Sequence, residues 1–208
     1  MKLNKFLIGV LVVSIPFLIF LSAVRLTVFD INFYEKEFDK YNPSVENKIE
    51  ITKNLIYFLS KEGDNSYISS FREVEQEHLL EVRDVMNMFF YIFYFVLVII
   101  VLSIALLYID KKSFFENLGI SLFYSSFVGG IILIVLALLA WNFSSSFSYF
   151  HQIFFKTQWQ FPSDYLLVTL FQAQFFFDIF SRILLVSLIG IILTGIIGYL
   201  INRKYKNI

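Results

Sequence analysis

Residues 85–109 read VMNMFFYIFYFVLVIIVLSIALLYI, twenty-five positions without Asp, Glu, Lys, Arg or His. A helix rising about 1.5 Å per residue over that length crosses the roughly 30 Å hydrocarbon core of a bilayer. The stretch predicts a membrane-spanning helix, and the rest of the chain follows its pattern. Residues 6–24, 118–141 and 183–201 form three further uncharged runs. The fold class expected is an all-α membrane protein with four transmembrane helices. Pro16 is expected to kink the first of them. Leu21-Ser22-Ala23 loosely resembles a cleavage site, but the length of the run favours an uncleaved anchor.

Composition agrees. Apolar residues make up 58% of the 208 and charged residues 16%, against roughly 25% charged in a soluble domain. The formal net charge of zero gives no reason to expect a nucleic-acid partner. With no cysteine in the chain, disulfides, thiolate metal sites and a cysteine nucleophile are excluded.

Two longer polar segments separate the runs, residues 25–84 and 142–180, while residues 110–117, DKKSFFEN, form a short turn. Lys2, Lys5, Lys111, Lys112, Arg203, Lys204 and Lys206 all fall on one side of such a four-span chain. Counted over short segments, with the first outer one near the length limit at which its charges stop counting and residues 142–180 carrying only Lys156, the basic residues mark that side as cytoplasmic. Both termini are then inside a cell membrane, and both long segments outside it. The first outer segment reads as a small extracellular cap containing a helix near residues 45–60. Ser44 is its expected N-cap and Gly63 its terminator.

The spans contain none of the charged groups that ion carriers place near the midplane, so a pump is disfavoured. Gly190, Thr194 and Gly198 form a small-residue stripe on the fourth run, suited to close helix packing. Chemistry is therefore sought at the outer interface, where both histidines of the chain fall. Phe71, Val74, His78, Val82, Val85 and Phe89 recur at three- and four-residue spacing. His78 then faces inward on a helix that prolongs the second span. By helical rise it stands roughly 10 Å beyond the apolar run, at headgroup height. Glu75 and Glu81 are placed to accept a proton from its ring. His151 shares a helical face with Phe147, Phe154 and Gln158, and Phe150, Phe155, Trp159 and Phe161 surround it in sequence. Two imidazoles at similar depth suit proton transfer near neutral pH. Either can instead be a structural histidine.

The sequence has no GxSxG elbow, HExxH or Walker-type loop. Ser144, Ser145, Ser146 and Ser148 lie close enough to His151 to suggest a Ser–His lipid hydrolase. Nothing beyond residue type suggests a metal site, and no cofactor is expected.

The run EHLLEVR from Glu77, followed by FHQIFF from Phe150 with Trp159 and Asp164 downstream, resembles the bacterial lipoprotein intramolecular transacylase family. The resemblance spans nearly the whole chain and implies four spans with an extracellular cap. It also implies a reaction. One acyl chain moves from the sn-2 glyceryl ester of a membrane-anchored diacylglyceryl lipoprotein to the amine of its N-terminal cysteine, leaving a lyso form. His78 and His151 match the family's catalytic pair. Glu75, Glu81, Arg83, Phe150, Phe154, Phe155, Trp159 and Asp164 are the expected substrate-binding or supporting residues. The chain departs from the family's usual pattern at Val74, Glu81, Arg83 and Gln172-Ala173. A non-enzymatic accessory or signalling membrane protein and an outer-face lipid hydrolase are the alternative readings.

Overall fold

The structure is a computed structural model describing residues 2–60 and 63–205; Lys206, one of the basic residues invoked for topology, lies outside them. In chain order the helices are α1 (Lys2–Val28), α2 (Ile31–Tyr41), α3 (Lys48–Leu59), α4 (Glu73–Ile109), α5 (Phe114–Trp141), α6 (Phe143–Phe154), α7 (Leu166–Leu170) and α8 (Ala173–Tyr205), with a 3₁₀ turn at Asn65–Ile68. Four of these, α1, α4, α5 and α8, are long and apolar enough to cross a membrane. The fold is all-α and membrane-integral. The chain divides into two compact units, residues 1–24, 91–138 and 183–208, and residues 25–90 and 139–182.

The first unit is built from the apolar helices. Pro16 sits inside α1, whose helical run is unbroken from Lys2 to Val28. Leu7, Leu11, Ile100, Leu107 and Phe114 form a buried cluster. Small residues of α8 decide its spacing from α5 and from α1. A Cβ on Gly198 would collide with the backbone of Leu122 and Phe123, and one on Gly190 would come within 2.9 Å of Ile19. Such close approach replaces the hydrophobic drive that is missing between helices in lipid. The buried hydroxyls of Ser121 and Ser125 donate to carbonyls of their own helix, at 2.8 Å each, so neither is a polar orphan. Ile109, Ile131, Ile134 and Leu138 stay exposed, as side chains facing lipid do.

The second unit has a core of its own, in which Phe38, Phe58, Ile68 and Phe175 are almost wholly buried. Its first helix, α2, lies outside the helix expected near residues 45–60, although Ile31, Tyr34, Phe38 and Tyr41 recur along it at helical spacing. Asp30 caps it by accepting from Asn32 N at 3.1 Å, and Asn42 ends it in the left-handed region at φ 43°. Phe33, Tyr34 and Phe38 face inward from it. The expected helix over residues 45–60 begins later, at Lys48, and Ser44 does not cap it. The N-cap is Asn47, in the left-handed conformation at φ 55° with no side-chain cap bond. Asn accepts that conformation more readily than most residues. A turn at Glu46 and Asn47, the end of the six-residue link between α2 and α3, thus replaces the predicted cap.

Candidate active site

The two histidines come from elements of the second unit. His78 lies in the second turn of α4, and His151 in the last turn of α6. Glu75 starts the local order. Its carboxylate accepts from Arg72 N at 2.8 Å, the back-bond of a capping box that fixes the first turn of α4. Its other oxygen accepts from Leu167 N at 2.7 Å, at the first turn of α7. With both oxygens satisfied, this carboxylate tolerates complete burial, 0% exposed. The inward face of the helix is therefore Glu75, His78 and Leu79, while Val74, expected on that face, is exposed.

His78 and His151 are only 6% and 8% exposed. Their rings stack at a tilt of 21° with centroids 6.0 Å apart. Phe155 touches both, at 4.6 Å from His78 and 5.0 Å from His151. Trp159 lies 4.7 Å from His151 and Phe147 only 4.0 Å. Phe161 closes the side next to His78 at 5.7 Å. The result is an imidazole pair in a box of aromatic rings.

Electrostatics follow from that burial. Desolvation, with His151 adding to it and Glu81 opposing it, brings the pKa of His78 down to about 4. Burial also lowers that of His151, against a smaller opposing effect of its bond to Phe147. Both rings are neutral at pH 7. A carbonyl oxygen only accepts, so the 2.8 Å contact of His151 Nδ1 with Phe147 O places the proton on Nδ1. The Nε2 lone pair of His151 is then the available base.

A profile of the lipoprotein intramolecular transacylases, Lit, matches residues 9–176. The chain belongs to the Lit family. Similar solved structures include the membrane-integral lipoprotein intramolecular transacylase Lit of Bacillus cereus, at 23% identity and TM-score 0.83, covering 100% of this chain and 99% of that one. Two single-histidine variants of the B. cereus protein, one with arginine and one with alanine, match at 24% identity. Their TM-scores are 0.81 and 0.82, with 99% and 100% of this chain and 94% and 97% of theirs covered. At such identities the likeness establishes a shared Lit fold. No curated protein matches the sequence significantly.

Several supporting residues expected of a Lit protein lie elsewhere than at the imidazoles. Among the described residues neither Glu75 nor Glu81 hydrogen-bonds a histidine; both carboxylates are taken by backbone N–H groups. Glu81 accepts from Lys156 N, Thr157 N and Thr157 Oγ1. Arg83 lies over the ring of Phe58 at 4.2 Å and reaches Gly63 O at 3.5 Å, bracing the cap segment. Asp164 pairs with Arg72 at 2.9 Å on an exposed surface. Arg72 in turn lies 4.1 Å over Tyr165, which stacks on Phe161. Phe150 and Phe154 pack on each other at 4.7 Å at the rim, both part-exposed. Helix α6 ends at Phe154, so Gln158 does not share the face of His151. Two of the four serines are occupied: Ser146 Oγ donates to Leu139 O and Ser148 Oγ to Ser144 O.

Phe147 and Phe161 belong to the ring box although neither stands among the expected supporting residues. The i, i+4 relation of Phe147 to His151 was the available signal. Phe161 was marked only by its place near His151 in sequence; its contact with His78 comes through irregular chain. Phe147 also lines a groove of about 300 Å³ with Phe143, Ser144, Ser148, Ala173, Gln174 and Phe177.

Proposed function

We propose that this Lit-family chain transfers an acyl chain from the sn-2 glyceryl ester of a diacylglyceryl lipoprotein to the amine of the lipoprotein's N-terminal cysteine. The product is a lyso-form, N-acylated lipoprotein. The observation that carries the reading is the buried, neutral imidazole pair, 6.0 Å from ring to ring, inside an aromatic enclosure.

The amine nitrogen attacks the ester carbonyl carbon, forming the C–N bond. Attack makes that nitrogen acidic, and His151 Nε2 takes its proton. The C–O bond to glycerol then breaks, and the departing oxygen takes that same proton back from the His151 imidazolium, while the His78 ring polarises the ester carbonyl, so both imidazoles end neutral. One proton moves from nitrogen to oxygen, so the atoms balance without water or an enzyme nucleophile. Amine and ester belong to one substrate, and the enzyme's contribution is to hold them in reacting geometry. Phe147, Phe155, Trp159 and Phe161 exclude the water that would hydrolyse the ester. The groove beside Phe147 offers apolar walls for a chain near the reacting carbonyl.

Both termini are assigned to the cytoplasm and the histidines to the outer face of the cell membrane, on the distribution of basic residues. The Ser146 and Ser148 hydroxyls, engaged on backbone carbonyls, weigh against either as a hydrolase nucleophile. The test is to give purified protein a synthetic diacylglyceryl lipopeptide and follow fragment masses. An N-acyl lyso product of unchanged total mass supports transfer; free fatty acid, or no reaction, rejects it.

A further inference from the structure

We infer that Glu81 is a positioning residue, which sets the separation of the two imidazoles by clamping the backbone just beyond His151. The inference rests on the transacylase reading. Glu81 stands three residues after His78 on the same continuous helix, so carboxylate and imidazole move as one body. On the other side, Phe155 N donates to His151 O at 2.9 Å and closes α6. Lys156 and Thr157 follow at once. Glu81 Oε1 accepts from Lys156 N at 3.2 Å. Its Oε2 accepts from Lys156 N at 3.0 Å, Thr157 N at 3.1 Å and Thr157 Oγ1 at 2.7 Å. Burial alone would raise the pKa of this carboxyl, but these donors outweigh it and hold it below the ordinary range. The clamp is therefore a charged acceptor at neutral pH.

The need for it is physical. The chain past α6 has no regular structure up to the turn before α7, so its N–H groups require an acceptor from elsewhere. The ring contacts around the histidines are apolar and weakly directional. His78 Nδ1 has no hydrogen-bond partner, so nothing polar at that atom ties its ring to His151. Glu81 supplies a directional tie between the two supporting elements. Misplacement by about 1 Å can cost roughly 100-fold in rate.

The experiment compares wild type with Glu81→Ala, Glu81→Gln, Thr157→Val and the Glu81→Gln/Thr157→Val double variant, all as full chains in detergent. Lipopeptide turnover is measured per folded molecule, alongside the rate at which diethyl pyrocarbonate modifies the two histidines. We expect kcat to fall roughly 10- to 100-fold in both Glu81 variants, with KM little changed. Thr157→Val should lose less, and the double variant should be no worse than Glu81→Gln alone, since both remove one interaction. Both imidazoles should be modified faster once the clamp is gone. Should Glu81→Ala not fold, the other variants decide. Inactive wild type defeats the reaction reading alone, leaving the clamp to be judged by modification rates. Unchanged kcat and unchanged modification rates in Glu81→Gln, or losses that merely follow the folded fraction, overturn it.

Discussion

His151 has its Nδ1 proton held by Phe147 O, whereas His78 Nδ1 is buried without a partner. The two imidazoles are therefore chemically unequal, and in the proposed reaction His151 is the better-oriented base. Replacing either with Asn should lower turnover by about 10²- to 10⁴-fold, the usual contribution of a positioned acid or base. The lipopeptide assay checks it, with thermal unfolding to confirm the fold. The pH dependence follows from the lowered pKa values. The proposed reaction needs neutral imidazole, so the loss caused by imidazole protonation should be absent at pH 6.5 and set in toward pH 4, the region of the His78 value. On the alkaline side it should rise until the substrate amine, with a pKa near 8, is deprotonated. The amine by itself gives an acid limb breaking at about pH 8; a second break near 6.5 in a pH–rate profile would contradict the desolvated pair. Stability carries the same sign. The folded state binds fewer protons than the unfolded chain between pH 6.5 and about 4, so stability falls as pH drops through that window.

At the scale of elements, close packing between α5 and α8 depends on positions where a methyl group has no room. Gly198→Ala would push into the backbone of Phe123, whereas Gly130 has nothing within 4 Å of an added Cβ. We expect Gly198→Ala to destabilise by about 1–3 kcal/mol and Gly130→Ala to be neutral or slightly stabilising. Thermal unfolding in detergent distinguishes the two. The small-residue stripe on the fourth run was readable from spacing alone. Helix α2 was not expected, although Ile31, Tyr34, Phe38 and Tyr41 recur at helical spacing among its charges. Its caps, Asp30 and Asn42, were the better signal.

For the molecule as a whole, topology can be tested directly because the chain contains no cysteine. Single cysteines at Ser66 and Lys112 provide clean reporters. A membrane-impermeant thiol reagent added to intact cells should label Ser66→Cys and leave Lys112→Cys unlabelled until the membrane is opened. The reverse pattern would place the histidines on the cytoplasmic side and remove the proposed substrate from reach.

Four membrane helices were legible in the sequence because a bilayer imposes length and apolarity on each crossing segment separately. The motif residues around His78 and His151 were legible as well, through residue type and order. What each carboxylate does was not. Glu75 and Glu81 sit where a helical wheel lets either reach His78, yet both face backbone N–H groups that irregular chain brings to them. Seventy-three residues separate the histidines in sequence, and their 6.0 Å approach comes from packing α6 beside the start of α4. Local periodicity sets the face a side chain occupies; only tertiary structure sets which distant group meets it there.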